Sequence, residues 1–390
     1  MSDKNRPAYK MSFLEKIKTA LAPIKNRLLL RSRFKSNLSP ELIFLHQYKN
    51  GTLNRYDIIV RYLMIDKIEG NNTCGEELYM KMQRHRAGGN KKMEAQFLAK
   101  KDTFLSLIKN IATKGYDNDS VICLNIEDQL CDGSHRLAAA LYYGVPVINI
   151  KRSGEKRSNY GWDQFNNFSQ EDLELLRTTE QKILEKINIR EVLTETLHSQ
   201  SQNFGRGTFY QSFDRIGIEG QRPTQKRFET YGLKHYLTPE TTVLDIGCNC
   251  GFFALHIADS VKSIDGIEFN KSLVNIANIS KLLLKNHNAT FTQGDFNKVQ
   301  INKKYDLILS FAVHYWIGQE INVYAKNMWN LLNEQGLILF ESQDITKQDL
   351  DWDDKIREFI NIGFEEIKSG ELCDDGAIKR RFSLFKKVKG

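Results

Sequence analysis

The passage TTVLDIGCNCGFFALHIA, residues 241–258, constrains this chain more than any other. It opens as a buried-strand run, passes through Asp245-x-Gly247-x-x-x-Gly251 and ends in a helical pattern. Glycines at such a turn let the backbone leave the strand tightly and approach a ligand closely, and an acid at the strand end can receive a charged or hydroxylic group. The alternation then continues. SIDGIEFN is a second strand ending at Glu268, FTQGDF puts Asp295 at the end of a third, YDLILSFAVHYW is a fourth and GLILFESQ a fifth. Strands alternating with helices from Thr241 onward predict an α/β, doubly wound parallel sheet.

The acids at the strand ends carry a chemistry of their own. A carboxylate at Glu268 suits two ribose hydroxyls, and Asp295 suits an adenine amino group. The series resembles the class I S-adenosylmethionine-dependent methyltransferases over about residues 205–390. The turn lacks the GxGxxG spacing of a nicotinamide-binding fold, which argues against a dehydrogenase; a doubly wound domain for another nucleotide is the bland alternative. The resemblance implies a Rossmann-like seven-stranded sheet closed by a hairpin of GFEEIKSG and KRRFSLFKK across Asp374-Asp375-Gly376. It implies S-adenosylmethionine as cofactor, with Asp245, Gly247 and Gly251 around its methionine part, Glu268 at the ribose, Asp295 at the adenine, Cys248, Phe296 and Ser310 as further cofactor-binding residues, and Tyr210 and Gln211 as a lid.

Methyl transfer from a sulfonium is a direct displacement, so the protein's tasks are alignment and, for a hydroxyl acceptor, proton removal. His314 and then Glu341, at the ends of the fourth and fifth strands, are the candidate bases, and packing is the competing role for His314. An anionic acceptor such as a phosphate monoester needs cations instead of a base. Arg206, Arg222 and Arg227, with Arg215 and Lys226, precede the first strand, and Thr224 after Pro223 is a helix start whose free N–H groups favour an anion. Ordinary surface charge is the alternative for each arginine.

A second unit lies upstream. RYDIIVRYLMIDKIEG reads as a strand, EAQFLAKKDTFLSLIKNIATKG as a helix, and SVICLNIEDQLCDGSHRLAAALYYGVPVINIK as strand, tight turn, helix, strand. Asp132-Gly133 turns out of a strand, and Ser134, His135 and Arg136 open a helix, a cradle for a phosphate. Over about residues 55–152 this resembles the fold of ParB partition proteins, sulfiredoxin and free-serine kinases. Ser134 replaces the cysteine that sulfiredoxin needs, and no arginine-rich CTP motif is present. Nucleotide-dependent phosphotransfer, or binding alone, remains. In the kinase reading Arg136, His135, Gly133 and Ser134 hold the phosphates of ATP, ADP or CTP with Mg2+. Asp132 then holds the metal or activates the acceptor, and Glu69 is the base, with Asp66 and Glu127 as competitors. Tyr160, Gly161 and Trp162 would line an acceptor pocket or pack in the core.

The expected organisation is a basic tail over 1–40, a smaller α+β ParB/sulfiredoxin-like domain over 41–165, a helical linker over 166–204 opened by a Ser169-to-Asp172 cap, and the methyltransferase-like domain over 205–390. The formal charge is +8, and residues 1–40 account for it with ten Lys/Arg against Asp3 and Glu15. A balanced remainder gives no strong case for nucleic acid. Phe13, Leu14, Ile17, Leu21, Ile24 and Leu28 fall within an arc of about 100° on a helix. That amphipathic helix either docks on its own domain or holds residues 11–35 to an anionic membrane surface. No run reaches the length of a membrane span, and six cysteines without a CxxC pair suit a reducing cytoplasm and no structural zinc, with peripheral attachment to the inner membrane face as a further expectation. The two units together suggest phosphorylation and then methylation of one polysaccharide or glycolipid acceptor, an O-antigen or capsule chain. The alternatives are a simple O- or N-methyltransferase of a small molecule, sugar or RNA, and an N-terminal module that only binds nucleotide, acceptor or partner. Oligomeric state is left open.

Overall fold

A computed structural model describes residues 37–49, 51–117, 119–153, 165, 167–199, 208–372 and 378–388. The basic amphipathic tail through residue 36, Tyr160, Gly161, Trp162, Arg206 and the Asp374-Asp375-Gly376 turn lie outside these residues.

The upstream unit begins with β1 (Asn37–Leu38), α1 (Pro40–Leu45), β2 (Tyr48–Lys49) and β3 (Thr52–Leu53), and continues into α2 (Tyr56–Ile68), α3 (Gly75–Ala87) and α4 (Lys91–Lys114). The segment expected as a strand is thus α2. Its apolar run is too long for an ordinary strand, and a helix buried on all sides shows no single apolar stripe, so periodicity alone does not reveal it. Residues Tyr56 to Ile65 of α2 are all buried. Next come β4 (Ile122–Leu124), β5 (Leu130–Asp132), α5 (Ser134–Tyr142) and β6 (Ile148–Arg152). These strands form a sheet in the order β1-β6-β4-β5, with β4 and β5 an antiparallel hairpin and β6 parallel to β4. Two helices follow, α6 (Gln170–Lys186) and α7 (Ile189–Ser199), the first opened by the reciprocal Ser169/Asp172 capping box.

The downstream unit enters through β7 (Phe209–Gln211), β8 (Gly220–Arg222) and α8 (Thr224–Tyr231). Its sheet holds β9 (Thr242–Ile246), β10 (Ser263–Glu268), β11 (Ala289–Gln293), β12 (Tyr305–Phe311), β13 (Leu332–Glu341), β14 (Phe364–Leu372) and β15 (Arg380–Lys387) in the order β11-β10-β9-β12-β13-β15-β14. The first five in that order are parallel, and β15 joins β13 antiparallel, as the expected closing hairpin requires. Alternation along β12 builds two cores: Leu307 and Leu309 face one side with α9 (Phe252–Ile257) and α10 (Lys271–Leu283), whereas Ile308 faces α12 (Ile321–Leu331) and α13 (Trp352–Ile362). A short α11 (His314–Ile317) follows β12. The chain runs from β9 outward to β11 and then returns to β12 on the other side of β9. That switch point opens a crevice at the strands' carboxyl ends.

The upstream unit joins the first of these cores: α7, which buries Val192 and Leu193, packs on α10, and Glu185–Lys285 and Glu127–Lys271 pair between the two units. Among the described residues no helix is long and apolar enough to cross a membrane.

The first turn of α2 is held by a buried ionic cluster. Arg55 takes both oxygens of Asp57 at 2.8 and 3.0 Å, and Arg61 donates to Oδ2 at 2.8 Å. Burial alone would raise the Asp57 pKa, but the two guanidiniums outweigh it and hold the carboxyl well below its ordinary 3.8. Asp57→Ala should therefore lower stability by about 3–5 kcal/mol in denaturant unfolding, because it leaves two buried cations facing each other. The wild-type contribution is complete above the unfolded value of 3.8 and is lost as pH falls below it, so the gap between wild type and Asp57→Ala should narrow on acidification.

Candidate functional site

A cavity of about 580 Å³ occupies the crevice where β9, β10 and β12 end. It gathers Tyr210, Gln211, Gly247, Glu268, Asp295 and Phe296 from the sequence expectations. Glycine is required at the turn for two different reasons. Gly247 has φ +69° and a Cβ there would lie 2.5 Å from Val313 in the cavity wall, whereas Gly251, at φ +68°, would put a Cβ 2.7 Å from the Phe291 ring beneath the helix. Gly251 is thus a packing glycine that lets α9 start close to the sheet.

The three strand-end acids are held differently, and of these Glu268 and Asp295 line the cavity whereas Asp245 lies behind the lining residues Ile246 and Gly247. Glu268 accepts backbone N–H groups of Asn270 at 2.8 Å and Asn249 at 3.0 Å, which aims the carboxylate and leaves it further acceptor capacity. Burial pushes its pKa up. Asp295 accepts the Asn297 N–H at 3.0 Å and pairs with Lys298 at 3.2 Å, the first of which chiefly holds its pKa down. Asp245 is 1% exposed, and neither of its carboxylate oxygens has a hydrogen-bond partner. Burial raises it to about 7 against the pull of nearby Arg227. Gln211 Oε1 is a third buried acceptor without a donor.

Several expected residues stand elsewhere. Glu341 is no free base: Arg222 holds Oε1 at 2.6 Å, Arg227 holds Oε2 at 3.2 Å, and Tyr231 donates to Oε2 as well. Burial would raise its pKa, but the two arginines bring it to about 2. Arg222 and Arg227 are themselves fully buried, so they brace β13 from within and do not reach out to an acceptor phosphate. Arg222 and Arg380 approach the Tyr210 hydroxyl at 3.5 and 3.4 Å and so back the cavity wall. His314 starts α11 but packs between Tyr324 and Phe340, with ring centroids 4.9 and 5.9 Å away, and does not line the cavity. Burial lowers its pKa. Ser310 shares a 2.8 Å hydrogen bond with Tyr324 in the core, and Cys248 is buried beside Gly266 with its thiol pKa pushed up. Both belong to the domain's interior because strand alternation and the turn direct them away from the crevice.

In the upstream unit, Gly133 precedes α5, whose first turn holds Ser134, His135 and Arg136. His135 shares a 3.0 Å hydrogen bond with Tyr79 and packs 4.5 Å from the Phe104 ring. Burial, then Arg61, lowers its pKa to about 2, so it is a neutral packing residue at neutral pH and not a phosphate-binding cation. Arg136 donates to the Val121 carbonyl at 2.5 Å and approaches Asp132 at 3.4 Å. Glu69 follows helix α2 where a strand end was expected, and accepts the Tyr143 hydroxyl at 2.5 Å. Among the described residues no group of three or more His, Cys, Asp and Glu side chains is placed to hold a metal ion, so Asp132 has no second protein ligand set beside it.

The cavity also holds residues that sequence reasoning missed: Asn249, Phe269, Asn297, Val313, Trp316 and Gln343. Phe269 directly follows the strand-end acid Glu268, a position that could have flagged it; Trp316 and Gln343 reach the cavity only through tertiary folding.

Residues 237–373 match a family model described as a methyltransferase domain. Among curated proteins, malonyl-(acyl-carrier protein) O-methyltransferase 2 of Ilyobacter polytropus is 31% identical over 102 residues, 26% of this chain and 38% of that protein. The malonyl-(acyl-carrier protein) O-methyltransferase of Bacillus anthracis is 20% identical over 133 residues, 34% of this chain and 48% of that protein. The chain spans about half or less of the length of these relatives. Among solved structures, the N-methyltransferase NodS of Bradyrhizobium japonicum WM9, in complex with S-adenosyl-L-homocysteine, is 15% identical at a TM-score of 0.37, covering 52% of this chain and 100% of that one. YcgJ of Bacillus subtilis is 14% identical at a TM-score of 0.35, covering 43% and 100%.

Gly247→Ala should cost about 1–2 kcal/mol of stability from its left-handed backbone, plus the clash with Val313. Denaturant unfolding of Gly247→Ala, Val313→Ala and the double variant should show the second substitution relieving part of the first, a coupling expected only for groups in contact.

Proposed function

We propose that the C-terminal half, a class I S-adenosylmethionine-dependent methyltransferase domain, binds S-adenosylmethionine in this cavity and methylates an acceptor oxygen that is already anionic. The observation that carries the cofactor reading is the set of buried acceptors without donors. Asp245 Oδ1 and Oδ2, directly before the lining residues Ile246 and Gly247, and Gln211 Oε1 in the lining itself offer as many acceptors as an α-ammonium group has N–H donors. Leaving them unmatched costs about 1–3 kcal/mol per group, so their burial makes sense in a chain that meets a cation there. The remaining acceptor capacity of Glu268 suits ribose hydroxyls, and Phe269, Phe296 and Trp316 offer apolar faces for a purine beside Asp295.

The bound cofactor supplies a methyl group activated by its sulfonium. The chain's own work is to orient and to exclude water: the turn at Gly247, the aimed Glu268 and the wall of Tyr210 and Gln343 do this. Proton removal has no evident agent. Glu341 is bound by two arginines, His314 lies in the core, and the ionisable residues among the described lining are Tyr210, Glu268 and Asp295. A carboxylate or phosphate monoester, which needs no base, is therefore the favoured acceptor class. The curated relatives are named for a malonyl group, whose free end is a carboxylate. Phosphotransfer by the upstream unit rests on its sequence resemblance, and a glycan acceptor on the pairing of the two units; neither gains a residue from the geometry.

Calorimetric titration with S-adenosylhomocysteine tests the site. Protonated Asp245 cannot pair with an ammonium, so affinity should rise with pH through about 7 and level off above it, and Asp245→Asn should bind more weakly with that step removed. Glu268→Ala should lose about 1–3 kcal/mol. A pH-independent wild-type affinity would overturn the role of Asp245. For the acceptor, methylation should survive His314→Gln with an unchanged profile between pH 7 and 9; loss of turnover in that folded variant would point to a hydroxyl acceptor and a catalytic histidine.

A further inference from the structure

Among the described residues, large apolar side chains more than 70% exposed are few: Ile126 at 77%, Leu350 at 76%, and Phe269 and Trp316 at 72% each. Phe269 and Trp316 line the cavity. Ile126 belongs to the other unit, at the tip of the β4–β5 hairpin, and its neighbour Glu127 forms an ion pair with Lys271, two residues beyond Phe269. Exposed apolar side chains of this size collect where something is to cover them.

The tip is built to hold its shape. Asn125 Oδ1 accepts the N–H groups of Glu127 and Gln129, both at 2.9 Å, and the Asn125 N–H donates to the Gln129 carbonyl at 2.9 Å. Asp128 adopts φ +59°, its carboxylate is held by Arg152 at 2.6 Å and its carbonyl accepts from Gln47 at 3.3 Å. The two units are fastened below by α7 on α10 and by Glu185–Lys285 at 2.9 Å, so the tip meets the β10–α10 loop in a fixed place. Lys271 is the first residue of α10, and the preceding Asn270 N–H is one of the two donors that aim Glu268. The Glu127–Lys271 pair is largely exposed, and its value is in placement more than in energy.

We propose that Ile126 and Glu127 complete the cofactor cavity from the upstream unit, Ile126 covering the adenine end beside Phe269 and Glu127 keeping the β10–α10 loop in register through Lys271. This rests on the S-adenosylmethionine reading above. The occupant is the purine of the cofactor, whose flat apolar face suits Ile126 and Phe269 and whose ribose lies at Glu268. The upstream unit thereby becomes part of the methyltransferase site, whatever else it binds.

The test uses the full chain and two ligands, S-adenosylhomocysteine and methylthioadenosine, which lacks the amino-acid end. Ile126→Asp should weaken both by about tenfold, the effect of losing one partly buried aliphatic contact, with an unchanged melting temperature because the side chain is exposed in the free protein. Glu127→Lys and Lys271→Glu should each weaken both ligands a few-fold, and the charge-swapped double variant should recover. Wild-type binding matched within twofold by Ile126→Asp would overturn the inference and leave the cofactor reading standing. A wild-type chain that binds neither ligand would overturn both.

Discussion

A carboxylate sealed at the end of β9 without a donor is the constraint on which the downstream unit turns. Asp245 sits at the switch point, where the chain leaves β9 for β10 on one side and later returns to β12 on the other. Burying a charge without a partner is costly, and here the cost appears as a pKa lifted to about 7. The surrounding geometry makes that position usable: Gly247 turns the backbone away so that the cavity floor stays open, Gln211 adds another acceptor without a donor, and Glu268 is aimed by two backbone N–H groups.

The same physics with the opposite outcome appears at Glu341 and at Asp57. Both are buried carboxylates, but each meets two guanidiniums, and both titrate below their ordinary values. Bidentate or shared arginine pairs fix orientation as well as charge. Arg222 and Arg227 thereby lock β8 and α8 onto the end of β13, which carries Tyr210 and Gln343 to the cavity wall. In the upstream unit Arg55 also donates to the Leu130 carbonyl at 2.7 Å, joining the start of α2 to the β4–β5 hairpin.

Much of the downstream unit was legible because its signals are local. Strand runs ending in Asp245, Glu268 and Asp295 at regular spacing, with glycines between strand and helix, state the sheet and the two lining acids Glu268 and Asp295 directly. The upstream unit was less legible. An apolar run buried on all sides carries no period, so α2 read as a strand and Glu69 was placed at a strand end that does not exist. His135 and Arg136 looked like a phosphate cradle because they open a helix, yet Phe104, Tyr79 and Arg61 arrive from α2, α3 and α4 to neutralise and enclose the imidazole.

By itself the sequence determined the alternation of elements, the acids at strand ends and the turn that needs glycine, since these depend on residues a few positions apart. Tertiary structure alone decided which charged groups would be free. His314 and Glu341 stand at strand ends as a base would, and Arg222 and Arg227 precede the sheet as an acceptor site would, but His314 is enclosed by Tyr324 and Phe340, and Glu341 meets partners more than a hundred residues away: Arg222 and Glu341 are separated by 119 positions. The meeting of Glu127 with Lys271, 144 positions apart, is of the same kind. In the downstream unit local pattern sets the backbone, and packing between elements sets what these side chains touch.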